Sequence, residues 1–468
     1  MTRHSRRTFL RQAAAAGVAA TFTIAGTKSS GNVLGANDTI RLGVVGINGR
    51  GGDHINEFLK IPGVQVTHLI DPDRRLYANR IKQIQSKGGK EPKCFQDIRQ
   101  ALEDKELDAV SVATCNHWHS LVTIWACQAG KDVYVEKPCS HNVFEGRQCV
   151  EAARKYQRIV QHGTQQRSGG AWQLARDIAA GKHGRLLVAR GRSYRVRGSI
   201  GFQQPKDPPP ELDYNLWLGP APQQPYHENL VHYKWHWFWD TGNGDIGNNG
   251  VHAMDATRWL IPNATLPKAV ISVGGRFVWN DQGQTPNLQF AVFDFGPTKM
   301  IFEVTEFKTE GGRQDRVFDT QGSAEPIEIV TPAEVKAPTA PRGPGGSIFE
   351  NFIACVRSRR TQDQDAQILE GHYSAALCHL ANISYRLGQD TSFAKRPAEL
   401  GDNEEVRKTF DWFQDLLVGL DVKLDSTTYR LGRPLKFDPQ TEKFVGDAEA
   451  DKLLTREYRQ PFVVPKKV

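Results

Sequence analysis

Two short stretches hold the side chains that could do chemistry. In WHWFWDTGNGDIGNNGVHAMDATRWL (235–260), Asp245, Asn248, His252 and Asp255 are spaced 3, 4 and 3. On a helix that spacing makes one polar stripe. The GNG turn before it and the apolar neighbours Ile246, Val251 and Met254 point the stripe at a polar site rather than at water. His252 is its natural acid/base, because imidazole changes charge near neutral pH. The second stretch is DVYVEKP (132–138), where Glu136 and Lys137 follow a β-rich run. A lysine at the carboxyl end of a parallel strand points into the crevice where ligands bind. Burial can tune its charge, and the ammonium can steer a substrate hydroxyl. Each set also has a plainer reading: a solvated helix face with a core histidine, and a surface lysine.

A third stretch supplies a nucleotide site. The run IRLGVVG leads into Gly46-Ile47-Asn48-Gly49-Arg50-Gly51-Gly52. Laid on G-x-G-x-x-G, the positions are Gly46, Asn48 and Gly51, with Asn in place of the middle glycine. Such a turn lets backbone N–H groups and a helix N-terminus approach a pyrophosphate. A second apolar run ends at Asp71, where a carboxylate would hold the adenosine ribose hydroxyls. Asp71 repels a 2′-phosphate and favours NAD, whereas Arg50, Arg74 and Arg75 could accept one, so NADP stays possible.

Elements of fixed kind must position these residues. Short β-branched runs at 40–46, 64–70, 107–113, 132–136 and 158–162 alternate with helical spacing at 52–60, 73–85, 117–129 and 142–155. That alternation predicts a doubly wound α/β domain with a parallel sheet over about 38–164. Beyond Arg167 a helix-like AWQLARDIAAG precedes the alternating strand LLVARGRSYRVRG and a proline-rich loop. The later strands AVISVGGRFVW, LQFAVFDF and KMIFEVTEF fit a large open, mostly antiparallel sheet. A Pro/Gly-rich segment at 332–346 then precedes helices at 347–358 and 366–387. The second domain is therefore expected over 165–390, carrying the polar stripe. Residues 391–468 are expected as an extension packed on it.

The aromatic cluster Tyr226, Tyr233, Trp235, Trp237, Phe238 and Trp239 suits the C–H faces of sugar rings, or ordinary core packing. His232 and His236 are four apart, like a metal pair, but no third ligand is evident and no metal is expected.

Composition narrows the partners. The chain has 468 residues, 39% hydrophobic and 24% charged, and a net charge of +8. Arg3, Arg6, Arg7, Arg11 and Lys28 all lie in residues 1–36, which carry no acid. The remainder is only weakly basic and has no long basic run, so nucleic acid is not an expected partner. Arg6-Arg7, Phe9-Leu10 and the alanine-rich run behind them resemble a twin-arginine export signal, too short to span a membrane. The seven cysteines form no CxxC pair and do not read as a disulfide framework.

Taken together, these motifs resemble the glucose-fructose oxidoreductase / inositol dehydrogenase / MocA (Gfo/Idh/MocA) family over nearly all of the chain after residue 38. The glycine turn, TCNHWH (114–119), EKP (136–138) and GNGDIGNNGVHAMD (242–255) stand in the family's order. The resemblance implies a Rossmann domain plus an α/β domain, a sugar or polyol substrate, and oligomers packed through the open sheet. It carries Thr114, Asn116, His119, Glu136 and Lys137 toward the cofactor, and Lys137 and His252 toward the reacting carbon. The family's usual catalytic Asp, four residues before the His, aligns with Asn248, which cannot titrate; Asp245 is the candidate for the missing carboxylate.

The expectation is an exported, homo-oligomeric NAD(P)-dependent oxidoreductase that transfers hydride with a tightly bound cofactor. A twin-arginine route carries folded cargo, so the nucleotide would travel inside the protein. A trapped cofactor must be reset, by a second substrate or within one turnover. The alternatives are therefore a redox-neutral glycosidase, lyase or epimerase using transient oxidation, and a non-catalytic carbohydrate-binding protein.

Overall fold

A computed structural model describes residues 39–168, 186–308 and 343–468. The expected export signal, the stretch AWQLARDIAAG and most of the 332–346 segment lie outside the described residues.

The first domain is a six-stranded parallel sheet of β1 (Ile40–Val45), β2 (Val64–Ile70), β3 (Lys93–Phe95), β4 (Ala109–Val112), β5 (Asp132–Val135) and β6 (Val160–His162). Their spatial order is β3-β2-β1-β4-β5-β6. Strands β4 and β5 are buried along their whole length, as covering by helices on both faces requires. The chain leaves β1 in one direction and returns through β4 in the other. A crevice therefore opens at the carboxyl ends of these two strands. Short β3 and the helix Ile98–Leu102 were not anticipated, since neither is long enough to show a period.

The second sheet has eight strands: β7 (Val188–Tyr194), β8 (Ala269–Gly275), β9 (Leu288–Asp294), β10 (Lys299–Thr305), β11 (Gln389–Ser392), β12 (Thr428–Leu431), β13 (Leu435–Asp438) and β14 (Lys443–Phe444). Pairing is antiparallel except between β10 and β7. The sheet is open, not closed into a barrel, yet neither broad face is bare. Val270, Ala291, Phe293, Met300, Phe302 and Val304 point to a core shared with the helices Gly250–Trp259 and Ile368–Arg386. Their alternates Ile271, Val273, Phe290 and Ile301 point the other way, onto Phe410, Phe413 and Leu417 of the helix Glu404–Gly419. Apolar side chains on both faces of a strand require two covering layers, and the C-terminal part supplies the second.

Sequence blocks and spatial domains do not coincide. The helix Ile348–Ser358 shares a core with Ile40, Leu42 and Val44 of β1. Phe462 and Val464, near the chain end, pack with Trp118, Trp125 and other residues of the helix Asn116–Gln128. That helix is buried at all of its positions, which explains its lack of a polar face. The C-terminal residues thus divide between the two domains instead of packing on the second alone. All seven cysteines are unpaired thiols.

Phe413 is fully buried and meets the rings of Phe277, Phe290, Phe393 and Tyr429. Phe413→Ala should destabilise the protein by about 3–5 kcal/mol, the usual cost of emptying such a site. Urea unfolding measures this; an unchanged midpoint would mean that the helix does not cover the sheet.

Candidate active site

One cleft of about 690 Å³ runs from the glycine turn to the helices at 244–259. Gly46, Asn48, Gly49, Arg50, Asp71, Thr114, Asn116, His119, Glu136, Lys137, Asn248 and His252 all line it. Gly51 and Asp245 do not.

The glycine turn is built for close approach. Gly46 has φ +79°, and a Cβ there would lie 2.7 Å from the backbone of Ala113 and Thr114. A Cβ on Gly51 would lie 1.9 Å from Gly46 O, so Gly51 packs the helix against the turn instead of facing the cleft. Gly49 has open space around it. The helix Gly49–Leu59 has no side-chain cap at Asn48 and no acid in its first turn. Uncapped N–H groups at a helix start suit an anion, so these residues fit the pyrophosphate of a dinucleotide.

Asp71 is buried and receives backbone N–H bonds from Ile47 (3.0 Å) and Asp73 (2.9 Å). It therefore braces the glycine turn as well as lining the ribose end. Burial raises its carboxyl to about 6, against the pull of those amides. Two of the arginines weighed for a 2′-phosphate are committed elsewhere. Arg50 pairs with Glu136 at 2.8 Å, and Arg75 pairs with Asp73 at 2.5 Å.

The proline-rich loop of the second domain straps this end. Asp213 N–H donates to Pro72 O, Arg74 N–H donates to Glu211 O, and His232 Nε2 lies 2.7 Å from Asp73 Oδ2. His232 and His236 therefore serve separate ends, since His236 Nδ1 faces Tyr233 O at 2.6 Å. Among the described residues no group of three or more His, Cys, Asp or Glu could hold a metal.

Glu136 ends β5 as a buried hub. Its Oε1 accepts from Arg50, His54 and Gln165 at 2.8–3.1 Å, and its Oε2 accepts from Lys137 N–H at 3.1 Å. Burial alone would raise this carboxyl, but Arg50 and His54 hold it well below the usual range. His119 faces Pro138 O (2.6 Å) and Thr114 O (2.9 Å), joining the loop after β4 to the loop after β5. Asn116 donates to Asn243 Oδ1 across the domain boundary at 3.0 Å.

Lys137 Nζ donates to Asn248 O (2.8 Å) and Asn248 Oδ1 (3.2 Å). Burial lowers its ammonium pKa, opposed by Glu136. The expected stripe is split, because the chain forms two helices, Gly244–Asn248 and Gly250–Trp259. Asn248 and His252 face the cleft. Asp255 turns away to Arg167 (2.7 and 2.8 Å) and Ser374, as a structural ion pair. Asp245 is buried behind the cleft wall, paired with Arg197. Burial first, then the Lys137 charge, pulls the His252 imidazole down to about 3, so it is neutral at physiological pH. Its Nδ1 is buried without a hydrogen-bond partner.

Of the aromatic cluster, Tyr233 and Trp235 line the cleft, and Trp235 also packs with Tyr226, Trp237 and Phe238 in a buried core. Arg195 and Arg197 also line it and were missed. Their signal was legible in YRVRG, two arginines at i and i+2 in an extended run that share a face. Glu306 lies behind them, receiving Trp237 Nε1–H at 2.6 Å. Burial, with the charge of Asp245, pushes its carboxyl up to about 8.

Tight Gly51 and open Gly49 make a contrast testable by nucleotide content. Gly51→Ala should lose the bound dinucleotide or the fold, whereas Gly49→Ala should keep both. Equal nucleotide release from the two variants on denaturation would contradict the assigned geometry.

Comparison with known proteins follows the same division. Residues 40–164 match the Gfo/Idh/MocA oxidoreductase family's NAD-binding Rossmann fold, and residues 196–277 match that family's C-terminal α/β domain. Inositol 2-dehydrogenase from Salmonella paratyphi B is 29% identical over 171 residues, 36% of this chain and 50% of that protein. A glycosyl hydrolase family 109 protein from Shewanella pealeana is 29% identical over 138 residues, 29% of this chain and 30% of that protein. The chain thus spans half or less of the length of these relatives. The WlbA dehydrogenase of Bordetella pertussis, solved with NADH and UDP-GlcNAcA, shares the fold at a TM-score of 0.55 and 17% identity, over 74% of this chain and 97% of that one. With both family domains matched in order, the chain carries an NAD-binding Rossmann domain at 40–164 followed at 196–277 by a C-terminal α/β domain of the Gfo/Idh/MocA oxidoreductase type.

Proposed function

We propose that the protein is an NAD-dependent oxidoreductase acting on a carbinol of a sugar, sugar derivative or polyol. The observation that carries this reading is convergence. Lys137 from the nucleotide domain and Asn248 and His252 from the second domain meet in the cleft that begins at the glycine turn. Bound along Gly46–Gly51 and Asp71, NAD would supply the two-electron acceptor. The protein's own part is the proton and the geometry. An ammonium has three N–H donors; residue 248 takes two from Lys137, leaving one for the substrate oxygen. His252, neutral and in the same cleft, takes the hydroxyl proton. Tyr233 offers a ring face to the sugar, and the edge of Trp235 lines the same cleft.

The loop strap at Pro72–Arg74 supports tight retention of the nucleotide, and the Arg6-Arg7 leader supports export by the twin-arginine route. Among the described residues no helix is long and apolar enough to cross a membrane. Self-association is part of this reading, but the helix Glu404–Gly419 already covers the outer face of the second sheet. A homo-oligomer would have to use a different surface or the outside of that helix. The redox-neutral reading is favoured by one finding, the family 109 glycosyl hydrolase name of a relative, together with the strapped nucleotide end. Incubation with a panel of hexoses, hexuronates, polyols and aryl glycosides separates the two. Accumulating reduced nicotinamide and keto product supports net oxidation; released aglycone without either supports transient oxidation.

His252→Ala should lower turnover by about 10²–10⁴-fold, the range for general acid–base catalysis, with nucleotide retained. Because a base works only when unprotonated, its lowered pKa moves the acid limb of kcat/KM well below pH 6. An ordinary histidine limb near pH 6.5, or near-normal turnover by the variant, would place the base elsewhere.

Asp71→Ala should relax discrimination against NADP by roughly 1–3 kcal/mol, the scale of a lost charged hydrogen bond, and also loosen the turn at Ile47. Competition binding of NAD and NADP reads the first effect; a wild type that already prefers NADP would overturn it.

A further inference from the structure

We infer that Arg197 and Asp245 are positioning residues that orient the Asn248 amide and, through it, hold Lys137 Nζ at the reacting end of the cleft. The inference deepens the proposed function and rests on Lys137 acting there. Its basis is a chain of four side chains whose hydrogen-bonding capacities leave one arrangement. Asn248 stands between two groups of opposite kind. On one side Lys137 is an ammonium, donor only; on the other Asp245 is a carboxylate, acceptor only. An amide placed between them satisfies both in a single orientation, with Oδ1 accepting from Lys137 Nζ at 3.2 Å and Nδ2 donating to Asp245 Oδ1 at 3.2 Å. The flipped amide would set N–H against ammonium and oxygen against carboxylate.

Asp245 can impose this only if it is itself fixed. Arg197 grips it with two bonds, Nη2 to Oδ1 at 2.8 Å and Nε to Oδ2 at 3.1 Å. Such forked pairing fixes direction as well as distance. Arg197 is anchored in turn. Its Nη1 donates to Tyr233 Oη at 3.0 Å, its backbone N–H donates to Glu306 O at 2.9 Å, and its guanidinium lies 5.5 Å from the Trp237 ring centre. The order runs from a strand extension of the second domain, through a buried carboxylate and an amide, to the lysine of the first.

This arrangement also accounts for an amide where the resemblance expects a carboxylate. A carboxylate at 248 would touch Lys137 directly and hold its charge strongly. Moved to 245, the negative charge still acts on Lys137 but from behind an amide, and Arg197 offsets part of it. Lys137 also feels Glu136 and Arg50 from its own domain and His119 beside it. From the second domain it faces His236 and His252, both neutral at physiological pH.

The test needs no knowledge of the substrate. The full-length protein is labelled with acetic anhydride across a pH series, and acetylation of Lys137 is followed by mass spectrometry to give its apparent pKa. Asp245→Asn should lower that pKa, Asn248→Asp should raise it, and Arg197→Ala should raise it. The double variant D245N/N248D should restore it to the wild-type value or above. Unfolding midpoints of the same proteins show whether each is folded; where Arg197→Ala is not, Arg197→Gln, which also removes the charge, takes its place with the same expected rise. Folded variants that all titrate Lys137 like the wild type would overturn the inference. Because labelling reads the lysine alone, failure to find an oxidoreductase substrate would count against the proposed function and leave this result standing.

Discussion

A buried carboxylate at the end of β5 organises the molecule. Glu136 is one residue from the lysine that meets the second domain, and it is 3% exposed. A charge taken out of water is stable only when its partners replace the lost hydration. Those partners come from three directions: Arg50 from the helix after the glycine turn, His54 from the next turn of that helix, and Gln165 from the segment after β6. The carboxylate therefore ties the nucleotide turn to the strand that carries Lys137. His54 extends the tie to β4 through Ser111 Oγ at 2.7 Å. Gly163 is needed beside it, since a Cβ there would lie 3.0 Å from the carboxyl carbon.

From that anchor the site is assembled across a domain boundary. Each domain alone presents half of it: a phosphate-binding turn with a lysine, and an amide with an imidazole. The boundary is held by Lys137 on Asn248, Asn116 on Asn243, and the proline-rich loop on Pro72 and Arg74. Segments remote in sequence complete the packing. The helix Ile368–Arg386 lies against both the helix Val143–Lys155 of the first domain and β8 of the second. A relative shift of the domains would part Lys137 from Asn248, so the chemistry depends on this packing as much as on the side chains that face the cleft.

Much of this was legible in the residues. The alternation of apolar runs and helical spacing specified the parallel sheet, because period 2 and period 3.6 are strong signals over such lengths. The glycine turn, Asp71, EKP and the 244–255 stretch carried their meaning in local spacing. What was not legible depended on tertiary direction. Asp255 fits the stripe by count, but the break at Asn249 rotates it toward Arg167. Asp245 looks like a spare catalytic acid until Arg197, 48 residues upstream, is seen to engage it. The covered second sheet had a local sign that was under-read: in AVISV apolar residues stand on both alternating sets, Ile271 and Val273 on one and Val270 on the other, where a sheet with one wet face would alternate apolar with polar. What covers it, the helix Glu404–Gly419, lies about a hundred residues beyond β10 and has no local mark of that task.

The most direct test of the central claim, that the two domains close a dinucleotide into the cleft that ends at Lys137 and His252, is identification of what the native protein carries. The purified protein, desalted, is denatured and the released small molecules are identified by mass spectrometry. The account predicts about one NAD(H) per chain, unexchanged by added nucleotide while the fold is intact. Protein that is recovered empty and binds added NAD reversibly would contradict it.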